Sequence, residues 1–210
     1  MKKYVCLFTI AVLLILSQRS FAQLIADKGL KLGLSLSTFS TEARDFQDNS
    51  LKPGMVLGGY VAFNLFDSFY LQPEALFSMK GTKQNDPESG IRGRLEERWT
   101  LTYLEIPVVA GFRFRSIHLI AGPSFGFYLD GKYVSEFKGG PNDGQKNEES
   151  FDDGRIEGTD MGLIFGAGYT LKGVSLEARY AVGLANILPA NEDNVKLKNR
   201  VLQFMLGVSL

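Results

Sequence analysis

The chain has 210 residues, with 23 basic and 23 acidic side chains, one histidine and one cysteine. That length suits a single domain, and the balanced charge argues against a nucleic-acid binder, which needs a basic face. A lone cysteine argues against an internal disulfide, thiol chemistry or a cysteine-ligated metal.

The first element reads as an export signal. Lys2 and Lys3 form a positive start, 5–16 is an apolar core, and Ser20-Phe21-Ala22 places small residues before a cut at Gln23. The apolar core is short for a transmembrane helix, so an N-terminal membrane anchor is the weaker alternative. Residues 1–22 are therefore expected to be a cleaved signal peptide, and 23–210 a single domain. Cys6 leaves with the signal, and the remainder carries a net charge of about −3. No later stretch has the ~18 apolar residues of a membrane helix.

Strands follow. Leu30, Leu32, Leu34 and Leu36 alternate with Lys31, Gly33, Ser35 and Ser37, and Met161-Leu163-Phe165-Ala167-Tyr169 repeat the beat. A period of two gives a strand one apolar face. The pattern predicts strands at 30–39, 55–65, 69–80, 99–114, 117–129, 160–171, 174–184 and 201–210. Most exceed the five or six residues of an average soluble strand, and they match the nine to eleven that cross a bilayer. The turns at 66–68, 115–116 and 172–173 are tight, whereas 40–54, 81–98, 130–159 and 185–200 are long and polar. Short turns on one rim and long loops on the other are the outer-membrane pattern, with both chain ends on the periplasmic side. Across the tight turns, Leu65 faces Phe69, Phe114 faces Ile117 and Leu171 faces Val174, so the apolar face is kept through every hairpin.

Parity alone leaves open which face points outward, since a soluble lipocalin-like barrel also alternates. The glycines decide for apolar-out. Gly58, Gly111, Gly122, Gly126, Gly162, Gly166, Gly168, Gly183 and Gly207 lie on the polar face, where a narrow lumen needs small residues. The expected fold is all-β: an eight-stranded antiparallel up-and-down transmembrane β-barrel with short periplasmic turns and long extracellular loops. Pro73, Pro107 and Pro123 fall mid-strand, and a bulge or register change is expected at each.

The inward face carries Lys31, Glu74, Lys80, Glu105, Arg113, Glu177 and Arg179. Buried charges must be paired, so Lys31, Glu74, Glu105, Arg113, Glu177 and Arg179 are expected to form a structural polar network in the lumen. Glu74 and Arg179 lie about six residues from the periplasmic end of the third and seventh strands, opposite walls of an eight-stranded barrel, and are placed to meet. The single histidine, His118, falls at the periplasmic end opposite Arg113, away from the outer rim where a hydrolytic triad would meet substrate. Glu148-Glu149 and Asp152-Asp153-Gly154 in the acidic third loop offer oxygen ligands but match no calcium-loop spacing, so a solvated, mobile loop is expected. No catalytic residue, metal site or cofactor is expected.

Several motifs appear in a specific order. They are Leu71-Gln72-Pro73-Glu74-Ala75-Leu76-Phe77-Ser78-Met79-Lys80-Gly81, Tyr103-Leu104-Glu105-Ile106-Pro107, Ala121-Gly122-Pro123, Asp160-Met161-Gly162 with Gly166-Ala167-Gly168, and Arg179-Tyr180 with Gly183-Leu184-Ala185-Asn186-Ile187. In these, and across essentially all of 23–210, the chain resembles the PorT-like outer-membrane β-barrel family of the Bacteroidota. The chain ends in Leu210 where barrel assembly signals commonly carry an aromatic residue. The resemblance implies a bacterial outer-membrane location and contact with outer-membrane lipid. The member that names the family works in type IX secretion, so envelope or type IX secretion proteins are the partners it implies. The expected role is non-enzymatic, acting through the loops or periplasmic rim in envelope interaction or protein secretion and transport. A small-solute pore and a purely structural barrel are the alternatives. Oligomeric state is not legible.

Overall fold

A computed structural model describes residues 25–41, 49–86, 94–141, 143–151, 156–188 and 196–210. The expected signal peptide, Asp152-Asp153-Gly154 and parts of the long loops lie outside the described residues.

Ten strands run in chain order: β1 (Ile25–Thr41), β2 (Asn49–Ser50), β3 (Lys52–Asn64), β4 (Phe69–Asp86), β5 (Arg94–Phe114), β6 (Ile117–Lys138), β7 (Lys146–Phe151), β8 (Thr159–Leu171), β9 (Val174–Gly183) and β10 (Leu197–Ser209). Eight of them close a ring in the order β1, β3, β4, β5, β6, β8, β9, β10, all antiparallel. The first and last strands close it, from Gly29 opposite Ser209 to Thr41 opposite Leu197. The two short pieces, β2 on β4 and β7 on β6, lie outside the ring.

The alternation fixes inside and outside. On β1, Leu34 is 63% exposed while its near neighbour Lys31 is 1% exposed. Leu32, Leu57, Phe77, Leu119, Phe165, Leu176 and Phe204 continue an exposed apolar surface around the wall. Soluble proteins do not carry an apolar patch of this extent, and lipid is the solvent it fits. The lipocalin-like arrangement, with its apolar face inside, is thereby excluded. Among the described residues no helix is long and apolar enough to cross a membrane.

Each tight turn keeps the apolar face outward. Phe114 pairs with Ile117 and Leu171 with Val174. Leu65 donates its amide to the Phe69 carbonyl at 2.9 Å. Arg115 and Lys172 sit in these turns at φ 54° and 49°, the left-handed region that a reversal this tight demands.

Three expectations need correction. The prolines bring neither a bulge nor a register change. Pairing lapses between Tyr60–Glu74 and Phe63–Leu71, between Pro73–Val108 and Leu76–Glu105, and between Pro107–Ser124 and Ala110–Ala121, then resumes in the same register. A missing N–H removes a rung without displacing the strand. The register shifts instead at Ile25/Asp27 and Thr102/Tyr103. Second, the long loops are partly sheet. β4, β5 and β6 run on past the apolar belt, with Lys83 opposite Arg98 and Arg94 opposite Lys138. Third, the acidic loop is solvated but carries regular structure: 131–136 pairs with β7 in an exposed hairpin, Glu136 opposite Lys146 and Tyr133 opposite Glu149. Cross-strand charge pairs stabilise such an exposed ladder.

Candidate functional site

The interior face of each strand feeds one column of side chains, and the columns meet at successive levels. β1 contributes Asp27, Lys31, Ser35 and Phe39; β4 contributes Tyr70, Gln72, Glu74 and Lys80; β9 contributes Ser175, Glu177 and Arg179. Five levels follow from the short-turn rim to the long-loop rim.

The lower charged level joins Lys31, Glu74, Glu177 and Arg179. Arg179 donates Nη1 to Glu74 Oε2 and Nη2 to Glu74 Oε1, each at 2.6 Å, and Nε to Glu177 Oε2 at 2.7 Å. Lys31 Nζ donates to Glu74 Oε1 at 2.9 Å and Glu177 Oε1 at 2.7 Å. Gln72 Nε2 adds a bond of 2.6 Å to Glu74 Oε1. Two cations balance two carboxylates, and every charged side chain in the group is buried. Such a group is tolerable away from water only because its members satisfy one another.

Above it, Val56, Leu76 and Met205 form a small apolar layer. The upper charged level then joins Lys80 to Glu105 Oε1 at 2.6 Å and to Asp160 Oδ2 at 3.0 Å. Asn199 Nδ2 also donates to Asp160 Oδ2, at 2.9 Å. Here two carboxylates face one ammonium. Glu105 Oε2, Asp160 Oδ1 and Ser124 Oγ have no partner among the described residues, and these side chains line a cavity of about 10 Å³, room for one water at most.

The long-loop end is covered by apolar side chains. Ile156 and Ile187, from the segments between strands, are buried against Phe39, Leu101, Tyr103 and Leu197. The short-turn end is different. A cavity of about 310 Å³ opens there, lined from every ring strand: Asp27, Tyr60, Tyr70, Arg113, His118, Thr170, Ser175 and Ser209 among others. Three of its rings lie over glycines on the neighbouring strand. A Cβ built on Gly111 would sit 2.0 Å from Tyr70, one on Gly168 2.3 Å from His118, and one on Gly29 2.8 Å from Tyr60. Each ring faces its glycine directly in the register.

The named candidates thus divide. Lys31, Glu74, Glu177 and Arg179 come together, Glu105 belongs to the upper group with Lys80, and Arg113 joins neither. Arg113 is exposed at the mouth, its guanidinium 4.9 Å from the Tyr70 ring centre. Sequence reasoning left out Asp160, placed at the start of the strand 160–171 but not among the inward charges, and Gln72 and Asn199, whose uncharged side chains gave no signal. Parity from Gly162 back to Asp160 was the clue that Asp160 faces inward.

His118 has Nδ1 3.4 Å from Thr170 Oγ1 and Nε2 3.5 Å from Glu177 Oε1, the order of a nucleophile, base and carboxylate. Both distances exceed the 2.6–3.2 Å of an activated pair, and Glu177 is already held by two cations. The arrangement anchors the imidazole to the wall.

Beyond the belt, Glu96 gathers Lys138 at 3.0 Å, Lys83 at 3.3 Å and Arg98 at 3.4 Å. The hydrogen bond from Lys138, then that from Lys83, holds its carboxyl down at about 2. Glu148 is likewise held at about 2 by Lys132 and Lys146, so this acidic side chain is committed to ammonium groups. Among the described residues, no group of three histidine, cysteine or acidic side chains could hold a metal.

The family described as outer membrane protein beta-barrel domain matches residues 21–188. No curated protein matches the chain at a significant level. Among solved structures, it is similar to Neisserial surface protein A, at 12% identity, TM-score 0.50, covering 87% of this chain and 97% of that one. It also matches Ail, the attachment invasion locus protein of Yersinia pestis, at 13% identity and TM-score 0.47, covering 88% and 98%. An outer membrane channel from Pseudomonas putida F1 matches at 12% identity and TM-score 0.30, covering 88% and 96%.

Proposed function

The chain belongs to the outer membrane protein beta-barrel domain family, and from that premise we propose that it is a non-enzymatic, non-conducting barrel that works through its rims. Its task in this reading is contact with other envelope components, with protein secretion or transport the favoured setting. The resemblance of its motifs to PorT-like proteins supports that setting, type IX secretion included.

The observation that carries the proposal is the filled interior. Side chains from non-adjacent strands meet across the bore at two charged levels, Arg179 with Glu74 and Lys80 with Asp160, and Ile156 and Ile187 cover the outer end. An eight-stranded barrel leaves little bore to begin with, and a solute crossing this one would have to break buried ion pairs.

Purified protein in planar bilayers tests the reading. No reproducible single-channel step is expected. A step that persists in the wild type and widens in Arg179→Ala would replace this reading with a small-solute pore. Cross-linking from the short-turn rim in envelope membranes tests the setting, and a rim that captures no envelope protein would remove it.

A further inference from the structure

The short-turn mouth holds more hydrogen-bond donors than the described residues use. We propose that it is a binding site for a carboxylate carried on an extended polypeptide segment that enters along the barrel axis from the periplasm. The inference rests on the reading of this rim as a contact surface and names the chemistry of the contact.

Consider the charges that face the mouth. Two are acidic, and both are engaged. Glu177 is paired with Lys31 and Arg179. Asp27 Oδ2 accepts from the Tyr60 hydroxyl and the Ser209 hydroxyl, each at 3.0 Å. The basic groups are Arg113, Arg115 and His118. Arg115 rests 5.5 Å from the outward Phe114 ring at the rim, and His118 is tied to Thr170 and Glu177. Arg113 remains. It lies on the inward face of β5 and has no carboxylate partner among the described residues. Its guanidinium is supported on Tyr70, whose own ring is seated over Gly111. A planar guanidinium fixed on one face and open on its edge matches a carboxylate with two parallel bonds.

The setting selects the source. All eight ring strands line the cavity, so it opens along the axis and not through the wall. A lipid headgroup approaches the outer wall and does not reach Arg113. The volume of about 310 Å³ is at the lower end of ligand pockets, enough for a short end or loop of chain. The apolar cover at the far end makes it a blind pocket, in which a segment docks and does not pass.

The test uses the full barrel in phospholipid nanodiscs. The probes are an N-acetylated serine–glycine hexapeptide with a free C-terminal carboxylate, its C-terminal amide, and acetate. Binding is read from the Arg113 Nε resonance and the amides of Tyr70 and His118. Saturable shifts are expected with the free-carboxylate peptide, at least ~10-fold weaker with the amide or acetate. Arg113→Gln should weaken the peptide by at least ~10-fold, and Arg113→Lys by less, because the charge stays and the fork is lost. Arg113 is exposed and outside both ion-paired groups, so the variant barrel folds; an unchanged heat-modifiable band on a gel checks this. Equal binding of peptide and amide, equal binding by Arg113→Gln, or no shift at millimolar peptide would each overturn the site. Acetate matching the peptide would overturn the polypeptide source. A conductance step with peptide binding intact would sink the non-conducting reading and leave this one standing.

Discussion

Arg179 and Glu74 stand on facing walls of the ring and share two hydrogen bonds of 2.6 Å. The pair spans the bore, so it ties together strands that are far apart around the ring. Removing one partner strands the other charge where water does not reach. Glu74→Gln and Arg179→Met should each lower unfolding stability by about 3–5 kcal/mol in detergent or bilayer titrations, and the double variant should lose less than the sum. Strict additivity would show that the two side chains are not coupled.

The two charged levels should respond differently. In the lower one charges balance, whereas Lys80 faces both Glu105 and Asp160. Lys80→Met, which leaves two carboxylates together, should cost about 3–5 kcal/mol. Glu105→Gln removes the surplus negative charge and should cost less than half of that. Equal losses in urea titration would contradict the assigned imbalance.

Ring and glycine act as pairs at the mouth. Gly111→Ala places a methyl 2.0 Å from the Tyr70 ring and must push it off the wall. A loss of about 1–3 kcal/mol is expected, as for overpacking elsewhere. Tyr70→Ala in the same chain should then recover part of the loss, though it is destabilising in the wild type. If Tyr70→Ala costs the same in both backgrounds, the ring does not lie on Gly111.

The outer lip carries a pH dependence with a definite sign. Glu96 is held at about 2, below its ordinary 4.5, by Lys138 and Lys83. A carboxyl depressed on folding stabilises fully above its unfolded value, and that contribution is lost as pH falls through the folded one. Amide protection at the lip of β5, measured relative to the intrinsic exchange rate at each pH, should therefore be unchanged above about pH 5 and fall between about 4.5 and 2. Glu96→Gln should be less protected above about pH 5 and lose the acid dependence. An acid transition that survives in the variant would assign the effect to another group.

The wall of the barrel was legible because lipid and lumen impose opposite demands on alternate residues, and Leu30 to Ser37 obey them without exception. The strand ends were harder to read. Past the belt both faces meet water, the period of two loses its apolar half, and Glu96, Arg98 and Lys132 read as loop although they are paired sheet. Asp160 was left out of the inward charges for the same reason: it stands near the start of a strand, at the edge of an acidic segment. The register around Pro73 and Pro107 was misjudged because a residue without a donor can leave a gap and need not cause a bulge. Ile156 and Ile187 were each an isolated apolar residue in a polar stretch, a signal passed over, and they prove to cover the outer end.

The seam between β1 and β10 has a consequence for how the molecule comes into being. β1 finds one neighbour, β3, early along the chain, but its other edge stays open until the thirteen residues of β10 arrive. An open edge is a template for the wrong partner, and its backbone groups cannot be left unpaired in hydrocarbon. A chain cut before Leu197 would present two such edges. Closure is therefore a single late event, and the nascent β1 needs shelter from its own kind until the last strand is delivered.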